Sequence, residues 1–591
     1  MDYISSEHVF ESFRCGAMNV ISNREFLNKI NVFPINDGDT GSNLAIMMHT
    51  IIDISEKKKT VKETLESFAN AALIGARGNS GIIFAQYLSG LSEELENIEV
   101  ISAKQYASAS KKAVKYAYEA IENPVEGTIL TLMNTWGEAL QKESKYKNDF
   151  AEIIKAASKI IEMALYKTKE QLNVLKKANV VDSGAQGFVF FIQGIFQYVV
   201  KKIKVNKKDI VDKKIKFTEF YDIHDKESEY RYCTEALIRA ENQDRNLIKN
   251  DLKNFGDSLV VASNKNYIRI HIHTNRPDKI FDYLYGKGKV LEQKIEDMFM
   301  QRSVVGEKRN EIAILTDSIA DISKDFLDSN QIHVINLNII LKNRNYLDKL
   351  TIDNERALDF TKNEYPSFSQ PSNKQIEKVF SFLLDNYKEV IVVTVSKYLS
   401  GTYNAFKLYI DSNKLNSRVT LINSKQNSGA EGLIVKKCLE LVDMGLTKNE
   451  IEEKINISIK NTKILVKIQT LENMIKSGRL SVKLGLFAKK IGLNPIVTLD
   501  ENGRGKIEGI AFSSNGSERK IIKKIKKLSK RKRIESYNIV YVDNFLLARK
   551  FANKINKIVG FKEDYITQTS SIIAIGAGIN TIAISYTLKE D

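Results

Sequence analysis

Cysteine is nearly absent from this chain of 591 residues: Cys15, Cys233 and Cys438 are the only three, and they stand far apart. That excludes a disulfide framework and points to a reducing cytoplasm. No run of about 18 apolar residues occurs, so nothing reads as a membrane span. Residues 1–13 carry Asp2, Glu7 and Glu11 without a basic start or an apolar centre, and no signal peptide is expected there. Proline is scarce as well, at six, and the breaks between the N-terminal apolar-periodic stretches are made by glycine instead. What is present is ordinary globular composition, 43% hydrophobic and 27% charged. The length allows about three to four domains.

The net charge is +16, from 89 Lys and Arg against 73 Asp and Glu. Its densest run spans residues 519–533, where Ile521, Ile522, Ile525 and Leu528 recur at helical spacing among lysines and arginines. This is a basic amphipathic helix, either packed on a sheet by its apolar stripe or making peripheral membrane contact. No aromatic interleaving, zinc finger or recognition module accompanies the charge, and nucleic acid is not expected as a partner.

Three compositional regions follow one another. Residues 1–202 read as helical throughout, with amphipathic runs near 5–29, 43–55, 61–75, 80–96, 102–122, 128–144, 150–166 and 187–202. A Lys-rich hinge follows at 201–216. Residues 215–310 mix strand-like alternation (230–239 and 267–273) and a short apolar run (258–262) with helical stretches. From 311 to 591 strands alternate with helices, the first strands at 312–315, 334–341, 390–395 and 419–422, as in an α/β domain with a largely parallel sheet.

The most informative stretch is Asn36-Asp37-Gly38-Asp39-Thr40-Gly41-Ser42-Asn43. It sets two carboxylates one residue apart in a small-residue turn that opens an apolar-periodic helix (Leu44, Met47, Met48, Ile51). Mg²⁺ is commonly held by one or two carboxylates plus substrate phosphates, and helix N-termini offer N–H groups to phosphate. Alone, Asp-Gly-Asp is more often a surface turn. Three further glycine-marked helix entrances share the region: Gly75-Ala76-Arg77-Gly78-Asn79-Ser80-Gly81, Glu126-Gly127-Thr128-Ile129-Leu130 and Asp182-Ser183-Gly184-Ala185-Gln186-Gly187. Each singly reads as a helix cap; four together can converge on one triphosphate.

In order, these motifs resemble the ATP-binding domain of dihydroxyacetone kinases (DhaL type), and the longer Asn31-Val32-Phe33-Pro34 form with GARGNSG is closer to the kinase subunit of bacterial fatty-acid kinase. The resemblance implies an eight-helix antiparallel barrel binding ATP with two Mg²⁺ at one open end. It assigns Asp37 and Asp39 to the metals and to catalysis. Thr40, Ser42, Asn43, Asn79, Ser80 and Gly81 fall around the phosphates, with Thr128 and Asp182 near the nucleotide. Two positions depart from the pattern: Ala185, where glycine is frequent, and Asn31, set against a third metal carboxylate in simpler relatives.

The middle region places Cys233-Thr234-Glu235 on one strand and His271-Ile272-His273 on another. Alternate residues share a strand face, so both histidines can converge on one point. Bare, such a pair is more often structural polar packing; Cys with two His also makes an incomplete zinc sphere. The segment resembles the middle domain of the same fatty-acid kinase, which implies Zn²⁺ on Cys233, His271 and His273 in a small α/β domain.

The third region carries Leu315-Thr316-Asp317-Ser318, Ser369-Gln370-Pro371-Ser372, Leu399-Ser400-Gly401-Thr402, Asn423-Ser424-Lys425 and Ser477-Gly478-Arg479-Leu480-Ser481. These are similar, in order, to the DegV family of fatty-acid-binding proteins, which implies two α/β lobes, a buried acyl chain, and Ser369 and Ser400 at its carboxylate. Arg479 is either a docking or phosphate contact or a surface charge. The chain departs at Phe368, where Thr is common, and at Ile575-Gly576-Ala577-Gly578-Ile579-Asn580, where the family has a histidine before Gly-Pro-Gly.

Together the resemblances imply one chain carrying kinase and acyl carrier, forming acyl phosphate from ATP and a fatty acid. The alternatives are a lipid-binding protein with a decayed kinase half and a dihydroxyacetone-type kinase. The second needs a triose-capturing histidine, and beyond residue 311 only His333 occurs. The junction at 307–310 is short, so hand-over calls for movement of the middle domain or for a homodimer.

Overall fold

A computed structural model describes residues 2–33, 38–202, 229–241, 243–361, 364–468, 474, 494–531 and 533–590. Residues 203–216 of the Lys-rich hinge, Asp37 and the Ser477–Ser481 motif with Arg479 lie outside the described residues. The chain divides into two compact units, Met1–Gly306 and Glu307–Asp591.

Eight helices of 15 to 22 residues build the first part: Ser6–Ser22, Thr40–Ile54, Val61–Gly75, Gly78–Glu93, Ala103–Ala120, Ile129–Glu143, Phe150–Gln171 and Ser183–Lys201. Each packs on the next, and the last closes on the first, which makes a ring. Local chemistry sets several of the starts. Thr60 with Glu63 and Ser102 with Gln105 form capping boxes, and Asp149 accepts from the Glu152 N–H. Inside the ring the aromatic side chains touch in sequence: Phe68 with Phe13, Phe13 with Phe191, Phe191 with Phe84, and Phe84 with Phe188. The eight helical spans agree with the sequence reading to within a few residues at most ends, but the region is not helical throughout: Tyr3–Ser5 and Val100–Ser102 form a short antiparallel pair.

The second part of this unit is a four-stranded antiparallel sheet. Its spatial order is Gly256–Ser263, Tyr267–Thr274, Tyr232–Arg239, Lys289–Asp297. Helices Arg245–Leu252, Pro277–Tyr285 and Met298–Gly306 complete it. The sheet is not independent of the ring: Val260 and Ala262 belong to the same buried cluster as the helical core. At the seam Ser263 N–H donates to Gln86 Oε1 at 2.6 Å, and Lys249 Nζ donates to the carbonyls of Glu119 and Ile121, both at 2.9 Å.

The second unit has two lobes. The first holds a wholly parallel sheet ordered Val419–Asn423, Glu389–Thr394, Ile312–Asp317, His333–Ile335, and a small antiparallel sheet ordered Arg344–Leu347, Asn338–Leu341, Ser367–Ser369. The second is a six-stranded sheet ordered Gly505–Ala511, Asn494–Leu499, Thr462–Lys467, Ile582–Leu588, Ile534–Tyr541, Ile566–Gln568. Here the expectation of a largely parallel sheet fails. Only the last pair is parallel, its strands joined by the crossover helix Phe545–Val559, whereas Asn494–Leu499 turns back into Gly505–Ala511 as a hairpin through the Asp500–Arg504 turn and the remaining pairs are antiparallel. The basic helix forms at Ser514–Lys530, with Ile521 and Ile525 buried in the sheet's core and Ile522 and Leu528 packed against it. Its apolar stripe is therefore spent on packing, and its outward face offers charge alone. No helix among the described residues is long and apolar enough to cross a membrane.

Candidate functional site

The four glycine-marked helix entrances meet at one end of the ring. Asp39 precedes helix Thr40–Ile54, and its Oδ2 accepts from Asn43 Nδ2 at 2.7 Å. Thr40 Oγ1 donates to Asn31 Oδ1 at 2.9 Å, so Asn31 braces the turn. Ser42 is fixed twice by Asn28: its N–H donates to Oδ1 and its Oγ accepts from Nδ2, both at 2.9 Å. Gly78 has φ of +60°, and a Cβ there would come within 3.0 Å of Asn43 Nδ2, which brings the second motif against the first. The third and fourth motifs follow the same way. A Cβ on Gly184 would meet Ser80 Oγ at 2.5 Å, and Asp182 accepts from the N–H groups of Ala185 and Ile129, the latter beside Thr128.

Within this cluster Asn79 Oδ1 is buried without a hydrogen-bond partner, and Gly81 lies buried in the first turn of its helix. Thr128 turns its Oγ1 back to the Val125 carbonyl. Asp182 is a buried N-cap; burial pushes its carboxyl up to about 7 against the two backbone N–H groups that favour the anion. Backbone donors at several helix starts suit an anionic ligand such as a polyphosphate, while the unpartnered Asn79 oxygen suits a hydrogen-bond donor or a cation beside it.

The sheet of the first unit carries the second cluster. Its register aligns three rows on one face: His273 with Cys233 and Glu296, His271 with Glu235 and Lys294, and Arg269 with Leu237 and Glu292. Cys233 Sγ lies 3.8 Å from His271 Nδ1, and His271 Nε2 lies 3.2 Å from His273 Nε2. One ligand atom from each of the three falls within 4.8 Å of the others, and all three residues are buried. One sulfur and two imidazoles at this spacing fit zinc with a fourth position left for water or substrate. His273 Nδ1 is 3.2 Å from Asp257, the kind of outer carboxylate that orients a metal-bound imidazole. Burial raises the Cys233 thiol, but the adjacent imidazoles outweigh it and bring it down to about 7, closer to the thiolate that metals take. Arg269, Glu292, Lys294 and Glu296 escaped sequence reading, and Glu235, although part of the quoted motif, received no role, because only the register reveals that they share the metal residues' face.

The second unit encloses a cavity of about 750 Å³ whose wall includes Leu337, Val466, Val497, Val540, Ile572 and Ala577, with Ser369 and Ser400 among its polar groups. Ser400 Oγ is 2.8 Å from Thr402 Oγ1, and Ser369 ends its strand opposite Asn338. Two further polar atoms of the wall, Thr569 Oγ1 and Asn427 Oδ1, are buried without a hydrogen-bond partner. Neither was read from sequence, since nothing but burial distinguishes them. Where the expected histidine is missing, Gly576, Ala577 and Thr581 form the wall; the Asn580 N–H instead donates to Asp543. The cavity-lining helix Ser571–Ala577 is pinned at its start by two buried carboxylates of the other lobe. Asp321 accepts from the Ser570 N–H at 2.7 Å and Asp348 from the Ser571 N–H at 2.8 Å. His333 is buried against Tyr387, and burial brings its imidazole down to about 4, which suits no exposed capture role.

Family comparison matches three segments of the chain. Residues 34–197 match the DAK2 domain, 229–305 the FakA-like middle domain of fatty acid kinase, and 311–589 the DegV family of uncharacterised proteins. The chain joins a DAK2 domain to a DegV domain. Between them stands the middle domain of the fatty acid kinase type. Similar curated proteins are uncharacterized proteins of Staphylococcus saprophyticus, 33% identical over 308 residues (50% of this chain, 55% of that one), and Staphylococcus haemolyticus, 31% identical over 347 (54% and 62%). The chain thus spans little more than half the length of the curated relatives it matches. Among solved structures it is similar to a fatty-acid-binding DegV family protein from Thermus thermophilus (TM-score 0.43, 21% identity, 47% of this chain and 99% of that one). Another is a stearic acid-binding protein from Eubacterium ventriosum (TM-score 0.44, 19% identity, 47% and 98%).

Proposed function

We propose that this DAK2–DegV chain transfers the γ-phosphoryl group of ATP to the carboxylate of a fatty acid carried by its own DegV domain. A carboxylate oxygen attacks the γ-phosphorus, the bond from that phosphorus to the β,γ-bridging oxygen breaks, and acyl phosphate and ADP leave. Such a step asks little covalent chemistry of the protein and much positioning. The helix starts at Thr40, Gly78, Ile129 and Ser183 would hold the phosphates, with Asn79 and Ser80 at their side. Asp39, with Asp37, would hold Mg²⁺, which would neutralise charge on the triphosphate. Cys233, His271 and His273 would hold zinc. Ser400, Ser369 and Thr569 would orient the acyl carboxylate.

The observation that carries this reading is the pairing, on one chain, of a DAK2 and fatty acid kinase-type unit with an apolar cavity of about 750 Å³ edged by hydroxyls. That volume is in the range of small-molecule pockets, about 300–1,000 Å³. The test uses purified protein, ATP, Mg²⁺ and oleate, with acyl phosphate trapped as hydroxamate by hydroxylamine. Product is expected without any added carrier protein. A strict requirement for a separate carrier would refute hand-over from the chain's own DegV domain.

A further inference from the structure

The charged face of the middle sheet does more than frame three metal ligands. Glu235, 1% exposed, sits between the metal cluster and the glycine turn of the helical ring. Its Oε1 accepts from the Gly78 N–H at 3.1 Å and lies 3.5 Å from His271 Nδ1; its Oε2 accepts from Arg269 Nη2 at 2.9 Å. Arg269, wholly buried, also donates to Glu292 at 2.9 Å, and Glu292 takes both oxygens to Arg77 at 2.7 and 2.8 Å. The turn is thus held at two consecutive residues, by the Arg77 side chain and the Gly78 backbone. Both holds lead through Arg269 and Glu235 to a metal-ligating imidazole.

Packing alone does not call for this. The neighbouring seam positions Val260 and Ala262 are apolar, and a buried carboxylate costs heavily unless fully paired. The carboxylate uses the first N–H of helix Gly78–Glu93, and so fixes the direction of the N–H groups of Asn79, Ser80 and Gly81 behind it.

We propose that Glu235 is a positioning residue that ties the Gly78 turn to His271, so that occupancy of the Cys233–His271–His273 site sets the affinity of the turn for nucleotide. The inference rests on reading this end of the ring as the ATP site and the triad as a zinc site. It is tested on the full chain by calorimetric titration with Mg–ATP, zinc-loaded and after chelator stripping and dialysis, with circular dichroism as a check of fold. Stripping is expected to weaken Mg–ATP binding about five- to tenfold, and Mg–ATP to tighten zinc binding by the same factor, as linkage demands. Glu235→Gln, in saturating zinc, should bind Mg–ATP as weakly as the stripped wild type and lose the response to zinc. Equal Mg–ATP affinity with and without zinc, an undiminished response in Glu235→Gln, or global unfolding on stripping would each overturn the inference while leaving the ATP site intact. If the variant fails to fold, the wild-type comparison decides alone. Zinc-loaded wild type that binds no Mg–ATP would remove the nucleotide reading, and this inference with it.

Discussion

Glu431 lies fully buried on helix Ser428–Asp443, with Asp317 and Asp321 close enough to repel its charge. Burial first, and those two carboxylates second, hold its carboxyl well above the usual range against Lys349 and Thr316. A group whose pKa rises on folding contributes stability that is full below its unfolded value, and is lost as pH climbs toward the folded one. Glu431→Gln removes that loss, so its melting temperature relative to wild type should improve between pH 5 and pH 8, by about 2–4 °C for each kcal/mol recovered. A difference that stays constant across that range would mean Glu431 is charged in the fold. Single residues were legible from sequence only where a motif marked them. Ser369 and Ser400 stand in recognisable motifs and line the cavity, whereas Thr569 does the same from an unremarkable strand end. If its unpaired hydroxyl meets the acyl carboxylate, Thr569→Val should weaken fatty-acid binding about fivefold or more with little change in melting, since no protein bond is lost. Unchanged oleate affinity in a fluorescence displacement assay would exclude that contact.

At the scale of elements, strong apolar periodicity was enough to place the eight long helices, and alternation was enough for strands Tyr232–Arg239 and Tyr267–Thr274. Strand Lys289–Asp297 was invisible because one of its faces carries Glu292, Lys294 and Glu296 instead of apolar residues, a pattern that makes sense only opposite Glu235 and Cys233. The antiparallel second lobe was missed because short strand patterns do not announce their direction. The same register makes the metal cluster a property of strand pairing: a slip of one residue would send Cys233 to the opposite face from the histidines. Freshly purified protein should therefore carry about one zinc per chain, and Cys233→Ala should lose it while keeping the antiparallel sheet signature in circular dichroism. Elemental analysis finding no zinc in wild type would refute the site.

On the scale of the whole molecule, the two compact units separate the proposed tasks: the motif cluster belongs to Met1–Gly306 and the cavity to Glu307–Asp591. Asp39→Ala is accordingly expected to abolish acyl phosphate formation and leave the fatty acid extracted per chain, read by mass spectrometry, unchanged. Parallel loss of lipid would contradict the division of labour. Tethering makes encounter intramolecular at an effective concentration that reaches about millimolar for short linkers, so turnover per chain should not fall on dilution. The domain order was legible in full from sequence motifs, but the alliance of the middle sheet with the helical ring was not, because it depends on Val260 and Ala262 entering a distant core. That shared core bears on ancestry. A recombination breakpoint just after the last long helix would strand apolar surface on both fragments, whereas one at the Gly306 to Glu307 junction cuts between finished pieces. In this chain the ring and its sheet, sharing one core, are therefore expected to be exchanged together, and the DegV domain to be exchanged as a compact unit of its own.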